Sequence, residues 1–296
     1  MLMRSKLFVP GSRPELFLKA EASAADALSF DLEDAVALER KDEARAAVAT
    51  YLSKAELPGK VVMVRVNAVG TAFFAADIAI VAAARVDVVN LPMVEDISAV
   101  HEAVRLIDRL EPEAGRGHIR LLVNIETPKA LRKAHELATA HPRVMGLQVG
   151  YADLFEPFGI ERLDPHTLAQ VRLTVRLAAA EAGVPAYDGV YARVNDINGF
   201  RAECEAARAQ GFAGKSCIHP TQIATANAAF MPRPHEVEMA RKILSAAAEA
   251  QAKGLGAFLV EGRMIDKPFL ESARATVALA DLHASKTGVA SSDQGA

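Results

Sequence analysis

The chain has no tryptophan, and aromatic residues make up only 5% of it. Base-stacking platforms for single-stranded nucleic acid are therefore not expected. Neither sign of charge is in excess. Lys and Arg number 34 against 37 Asp and Glu, a formal net charge of −3 with the eight His neutral. A nucleic-acid binder usually carries a basic surplus, so that class is set aside. Cysteine is scarce: Cys204 and Cys217 cannot build a disulfide framework and read as buried thiols of a cytoplasmic protein. No apolar run reaches the ~18 residues that cross a bilayer, so no membrane span is expected. Met1 to Lys6 leads straight into Leu7-Phe8-Val9-Pro10, without the apolar stretch and small-residue cleavage site of a signal peptide. No Gly-x-Gly-x-x-Gly follows that first apolar run, which argues against an open dinucleotide-binding sheet.

What is present is the mixture of a globular enzyme, 51% hydrophobic and 24% charged. The 296 residues suit two domains, or one α/β barrel of about 250 residues with an appendage. Short Val/Ile/Leu-rich runs near 6–9, 27–30, 61–66, 86–91, 119–125, 144–149, 187–191 and 214–218 predict strands buried on both faces. Between them, apolar residues at three- and four-residue spacing predict helices near 15–24, 40–52, 73–84, 96–110, 128–140, 167–183 and 199–210. Eight strands with intervening helices predict a (β/α)8 TIM barrel over residues 1–230. The alternation stops near Thr221. A helix over 235–252, a short strand over 257–260 and a helix over 268–283 predict a C-terminal helical arm or lid, residues 231–283. Residues 284–296 are small and polar and read as a disordered tail.

In such a barrel, chemistry sits where strands end and loops begin. Arg65 ends an apolar strand and needs an anionic partner, either a neighbouring carboxylate or the carboxylate of a substrate. Glu126 and Asp153 follow consecutive strands. Two such acids can share a hard divalent cation that keeps open positions for substrate; the alternative is an ion pair for Glu126 and helix capping by Asp153. Asp31, Glu33 and Asp34 crowd the loop after the second strand, placed either to fix the Arg65 guanidinium or to cap the helix that follows. Lys215 is read as an ion-pair residue, with a Schiff-base lysine as the alternative. His219 falls at the barrel mouth beside Ile218. Asp266 reads from composition alone as a surface or capping acid.

Taken in order, these segments carry a resemblance. Leu7-Phe8-Val9-Pro10-Gly11, Phe30-Asp31-Leu32-Glu33-Asp34-Ala35-Val36, Val64-Arg65-Val66-Asn67, Leu91-Pro92-Met93-Val94-Glu95, Ile125-Glu126-Thr127, Ala152-Asp153-Leu154, Gly214-Lys215 with Ile218-His219-Pro220, and Met264-Ile265-Asp266-Lys267-Pro268 resemble citrate lyase β-subunit-like proteins. These belong to the HpcH/HpaI aldolase superfamily, with the malyl-CoA and citramalyl-CoA lyases. The resemblance spans about residues 4–283. It implies a TIM barrel, Mg²⁺ dependence and reversible C–C cleavage of a 3-hydroxy-3-carboxyacyl thioester. On that pattern Glu126 and Asp153 match metal ligands, and Arg65 matches the arginine that holds the keto-acid carboxylate. Ile218 and His219 match substrate-contacting positions, as does Phe8, where some relatives place a Tyr. Asp266 matches an acid–base residue on an arm that closes over a neighbouring subunit's site. This implies a homo-oligomer, a trimer or a dimer of trimers. Met93 stands where such proteins commonly carry Lys, and Pro128-Lys129 replaces small residues.

The expected activity is thus cleavage of citramalyl-CoA, malyl-CoA or a near relative into a 2-keto acid and an acyl-CoA. Alternatives are a citryl-carrier-protein lyase subunit with an acyl carrier protein as partner, a malate-synthase or thioesterase reaction, and a non-catalytic acyl-CoA-binding barrel.

Overall fold

The structure, a computed structural model, describes residues 2–111 and 117–287. Among them, parallel strands β1 (Ser5–Pro10), β2 (Ala27–Asp31), β3 (Val61–Arg65), β4 (Val88–Leu91), β5 (Arg120–Ile125), β6 (Val144–Val149), β7 (Ala186–Asp188) and β8 (Gly214–Cys217) pair in chain order. Strand β8 returns to β1, with Ser5 opposite Lys215 and Leu7 opposite Cys217, and closes the barrel. The fold is a (β/α)8 barrel.

Helices α1 (Phe17–Glu21), α2 (Lys41–Leu52), α3 (Phe74–Ala83), α4 (Ile97–Leu110), α5 (Pro128–Arg132), α6 (Ala134–Thr139), α7 (Tyr151–Phe155), α8 (Pro165–Glu181), α9 (Ile197–Ala209) and α10 (Ile223–Ala229) lie between and after the strands. Local chemistry starts several of them. Asp96, Thr127, Asp164 and Asp196 each accept a backbone N–H two or three residues on, as good N-caps do. Helix α4 shows why the helices dock: Val100, Ala103, Val104 and Ile107 share one face, and all are buried.

Along each strand, side chains alternate between two environments. One set, including Leu7, Val9, Leu28, Phe30, Val62, Val64, Val89, Leu91, Val123 and Ile125, packs in the large core with the helices. The other set faces into the barrel. At one end it is apolar: Met3, Ala27, Val61, Met63, Val88, Leu122 and Tyr187 form a separate cluster. Two residues further along the same faces stand Ser29, Arg65, Asn90 and Asn124, and two further again Asp31 and Glu126. The interior thus passes from a dry plug to a polar mouth at the carboxyl ends of the strands.

Several expectations need correction. The strand expected over 187–191 ends at Asp188, because the Gly189 carbonyl turns to accept the buried Lys215 ammonium at 2.8 Å. The helix expected over 128–140 breaks at Lys133, whose φ and ψ of −101° and 13° leave the helical region. The alternation does not stop at Thr221. Helix α10 completes the outer ring, burying Ile223, Thr225 and Ala226.

The described chain divides into two units, Met3–Phe230 and the segment from Met231 on. The second contains α11 (Pro234–Ala252), the hairpin of β9 (Phe258–Val260) and β10 (Arg263–Ile265), and α12 (Lys267–Thr287). Strand β10 was not expected. Glu261 and Gly262 both take positive φ, 47° and 79°, the pairing that a two-residue hairpin turn requires. Ala240, Ile243, Val260, Ile265 and Ala273 form this unit's own core. Residues 284–287, expected in a disordered tail, continue α12; the rest of that expected tail, 288–296, lies outside the described residues. Among the described residues no helix is long and apolar enough to cross a membrane.

Candidate active site

A cavity of about 410 Å³ opens at the carboxyl ends of the barrel strands. Phe8, Asp31, Asp34, Arg65, Asn124, Glu126, Gln148, Tyr151, Asp153 and Ile218 contribute to its wall. Its position is where this fold presents chemistry.

Arg65 stands at the end of β3, level with Asp31 on β2. Its Nε and Nη2 donate to the two Asp31 oxygens at 2.8 and 2.6 Å, a bidentate pair. Its Nη1 donates to Asp34 at 3.1 Å and lies 2.8 Å from Glu33. Asp31 also accepts the backbone N–H groups of Glu33 and Ala35, so the acidic loop is wound around its own first carboxylate. Three acids surround one guanidinium. That imbalance is resolved at Glu33, where burial and the neighbouring carboxylates push the carboxyl up to about 8 against the Arg65 attraction. The structure therefore brings Asp31, Glu33 and Asp34 onto Arg65, while Arg65 itself still faces the cavity and lies 5.0 Å from the Phe8 ring centroid.

Glu126 follows β5. Its Oε1 accepts the Met93 backbone N–H at 2.5 Å, and its Oε2 accepts the Asn124 amide at 3.0 Å. No basic side chain pairs with it among the described residues. Burial pushes its carboxyl up to about 7, and the charge of Asp153 adds to that rise. Asp153 sits in the first turn of α7, and partial burial with the nearby Asp34 raises it too. Gly150 is needed at this point, because an added Cβ would overlap the Glu126 side chain.

This donor set suits a hard cation. Each Glu126 oxygen takes one donor and keeps a lone pair free, and Asp153 shares its cavity. Among the described residues no group of three or more His, Cys, Asp or Glu is gathered that could hold a metal. Two carboxylates with open positions fit Mg²⁺, which keeps waters or substrate oxygens around it. A soft thiolate or imidazole site does not fit.

The other expected residues fall in several places. Ile218 lines the cavity. His219 is exposed and turns its Nδ1 to Thr221, capping the turn Pro220–Gln222, and does not line the wall. Lys215 is an ion-pair residue. Its Nζ donates to Asp188 at 2.6 Å, Glu203 at 2.8 Å and the Gly189 carbonyl, so its three donors are spent; burial opposes its charge, but Asp188 and Glu203 outweigh burial and hold its pKa up. Arg172 and Tyr151 also donate to Asp188 and stiffen the wall that Tyr151 forms. Asp266 belongs to the C-terminal unit, where it lines a separate cavity of about 470 Å³ and one carboxylate oxygen is buried without a hydrogen-bond partner.

Lys6, Asn90, Asn124, Gln148 and the Met93 backbone also belong to this region and were not expected there. The signal available was a polar side chain at an inward position of an apolar strand.

Residues 4–220 match the HpcH/HpaI aldolase/citrate lyase family. The chain belongs to that family. Among its relatives, a (3S)-malyl-CoA thioesterase of Cereibacter sphaeroides is 38% identical over 280 residues, 94% of each chain. The citrate lyase subunit beta of Leuconostoc mesenteroides subsp. cremoris is 35% identical over 283 residues, 95% of this chain and 94% of that one. Among solved structures, CitE from Mycobacterium tuberculosis in complex with magnesium, acetoacetate and coenzyme A superposes with a TM-score of 0.73 at 33% identity, covering 94% of this chain and 97% of that one.

Proposed function

We propose that this family member is a Mg²⁺-dependent carbon–carbon lyase that cleaves a 3-hydroxy-3-carboxyacyl-CoA into a 2-keto acid and an acyl-CoA. The observation that carries this reading is one cavity holding two carboxylates, Glu126 and Asp153, without an ion-pair partner among the described residues, together with a fixed guanidinium, Arg65. Magnesium with acetoacetate and coenzyme A in a structure that superposes well supports it.

Glu126 and Asp153 would hold the metal. Bound there, Mg²⁺ supplies a Lewis acid that stabilises negative charge on the oxygens of the substrate. Arg65 neutralises and orients the carboxylate beside the scissile bond; three of its five N–H groups are tied to Asp31 and Asp34, which hold the fork still. Phe8 and Ile218 form apolar wall against the substrate. Asp266 moves the proton at the acyl carbon, from the arm of a neighbouring copy in a homo-oligomer. In cleavage the 3-hydroxyl proton leaves to water, the C–C electron pair passes to the acyl carbon, and Asp266 protonates that carbon; condensation runs the same transfers in reverse. The two cysteines, free and buried, support a reducing, cytoplasmic setting.

A hydrolytic outcome has support of its own, since relatives at 38% identity are malyl-CoA thioesterases. One assay separates the readings. Protein with Mg²⁺ is offered citramalyl-, malyl- and citryl-CoA, and keto acid and free thiol are followed together. The lyase reading expects keto acid without free thiol. Free thiol with malate supports hydrolysis. Turnover only of a citryl carrier protein supports the citrate lyase subunit. No keto acid from any thioester, or turnover undiminished in EDTA, overturns the proposal.

A further inference from the structure

The barrel interior beneath the cavity holds one lysine that the mechanism above does not use. Lys6 lies on β1, 2% exposed, two residues before the cavity residue Phe8. Its Nζ meets the side-chain oxygens of two amides: Asn90 Oδ1 at 3.3 Å, and Gln148 Oε1. As ammonium or as free amine, Nζ has at least two N–H groups, and these two oxygens receive them. The polarity of both amides follows. Asn90 turns its NH₂ to Asn124 Oδ1 at 2.7 Å, and Asn124 in turn gives its NH₂ to Glu126. Each amide nitrogen in that branch has at least one protein acceptor.

The other branch ends differently. Gln148 Oε1 accepts from Lys6 and also from Ser216 Oγ at 3.4 Å. Among the described residues its hydrogen bonds to protein all fall on Oε1 and none on Nε2, and Gln148 lines the cavity. An amide whose oxygen is held on two sides presents its N–H groups on the third. A neutral donor held by its oxygen is therefore left at the wall of a cavity that also holds carboxylates, the engaged Arg65 guanidinium, Asn124 and Tyr151. Such a donor matches an oxygen of the substrate, with no desolvation of a second charge.

We propose that Gln148 donates from Nε2 to an oxygen of the keto-acid half of the substrate, and that Lys6 is the positioning residue that keeps the amide turned that way. The inference rests on the lyase reading above, since it takes its ligand from it. The Lys6–Gln148 pair then helps to set which keto acid the site accepts.

The test is calorimetry on the full chain loaded with Mg²⁺, titrated with pyruvate, glyoxylate and oxaloacetate. Gln148→Leu is expected to bind Mg²⁺ like the wild type and to weaken keto-acid binding about 10-fold or more, the loss of one hydrogen bond to a charged group. Gln148→Glu keeps an acceptor for Lys6 but replaces the donor with a carboxylate, so it folds and binds the keto acid more weakly still. Lys6→Met is expected to weaken keto-acid binding, and the double variant Lys6→Met/Gln148→Leu to be no weaker than Gln148→Leu alone. Additive losses would overturn the positioning role, which a general structural effect would produce instead. Wild-type affinity in both Gln148 variants would overturn the inference alone. A wild-type protein that binds Mg²⁺ but no keto acid would overturn the proposed reaction, and this inference with it.

Discussion

The backbone N–H of Met93 lies 2.5 Å from Oε1 of Glu126, and Met93 reaches it with φ at +51°. A left-handed conformation is uncommon for a residue with a side chain, and here it aims a main-chain donor at a carboxylate of the active cavity. The side chain is 45% exposed, so the backbone does this work whatever the residue carries. Met93→Gly is therefore expected to stay within about 1 kcal/mol of wild type, and Met93→Val to lose about 1–3 kcal/mol, because β-branching resists positive φ. Only the valine variant should also weaken Mg²⁺ binding. Thermal melts paired with Mg²⁺ titration check both, and equal effects of glycine and valine would contradict the argument.

Gly150 makes room for Glu126. Its φ of −108° is open to any residue, so the demand is steric. Gly150→Ala is expected to displace the Glu126 carboxylate and lower both Mg²⁺ affinity and turnover by at least about 10²-fold. The overpacking should cost about 1–3 kcal/mol, leaving the chain folded. Circular dichroism together with Mg²⁺ titration separates the site effect from the fold; unaltered Mg²⁺ affinity would refute it.

Glu33 should make the metal-free protein less stable as pH rises. Its carboxyl sits at about 8 in the folded chain, above its ordinary 4.5. The folded chain therefore keeps a proton that the unfolded chain releases. Stability from this group is complete below about pH 4.5 and is lost progressively towards pH 8. Glu33→Gln keeps the shape and stays neutral, so it should flatten that decline and melt higher than wild type at pH 8. Parallel pH–melting curves for the two proteins would reveal no difference if Glu33 were ionised throughout.

Asp266→Asn is expected to retain Mg²⁺ and keto-acid binding yet lose most of kcat, about 10²-fold or more. If its carboxyl serves a neighbouring copy, a mixture of Asp266→Asn and Glu126→Ala chains, unfolded and refolded together, should recover activity that neither has alone. Recovery that never exceeds the separate proteins would place the proton transfer within one chain or on another residue.

Much of the architecture was legible because its causes are local. Strand runs and helix faces repeat over a few residues, and the caps Asp96, Thr127 and Asp164 act on N–H groups two or three positions away. The association of Asp31, Glu33 and Asp34 with Arg65 was readable too, since neighbouring strand ends must lie close. The break at Lys133 and the hairpin at Glu261-Gly262 were not, because each depends on backbone torsions at one or two residues. The place of His219 was not legible for a related reason: its Nδ1 is engaged by Thr221 in a local turn, and the cavity wall does not include it.

The sequence by itself determined a closed ring of parallel strands with acids and an arginine at one mouth, because apolar periodicity and strand-end placement leave few other ways to bury the chain. Which amide oxygens face Lys6 was decided only by the tertiary structure. Gln148 lies 142 residues from Lys6, and only barrel closure brings the two within hydrogen-bonding range. A carboxamide has no preferred end until its surroundings supply a donor or an acceptor, so its orientation, and with it the character of the cavity floor, is a property of the folded chain alone.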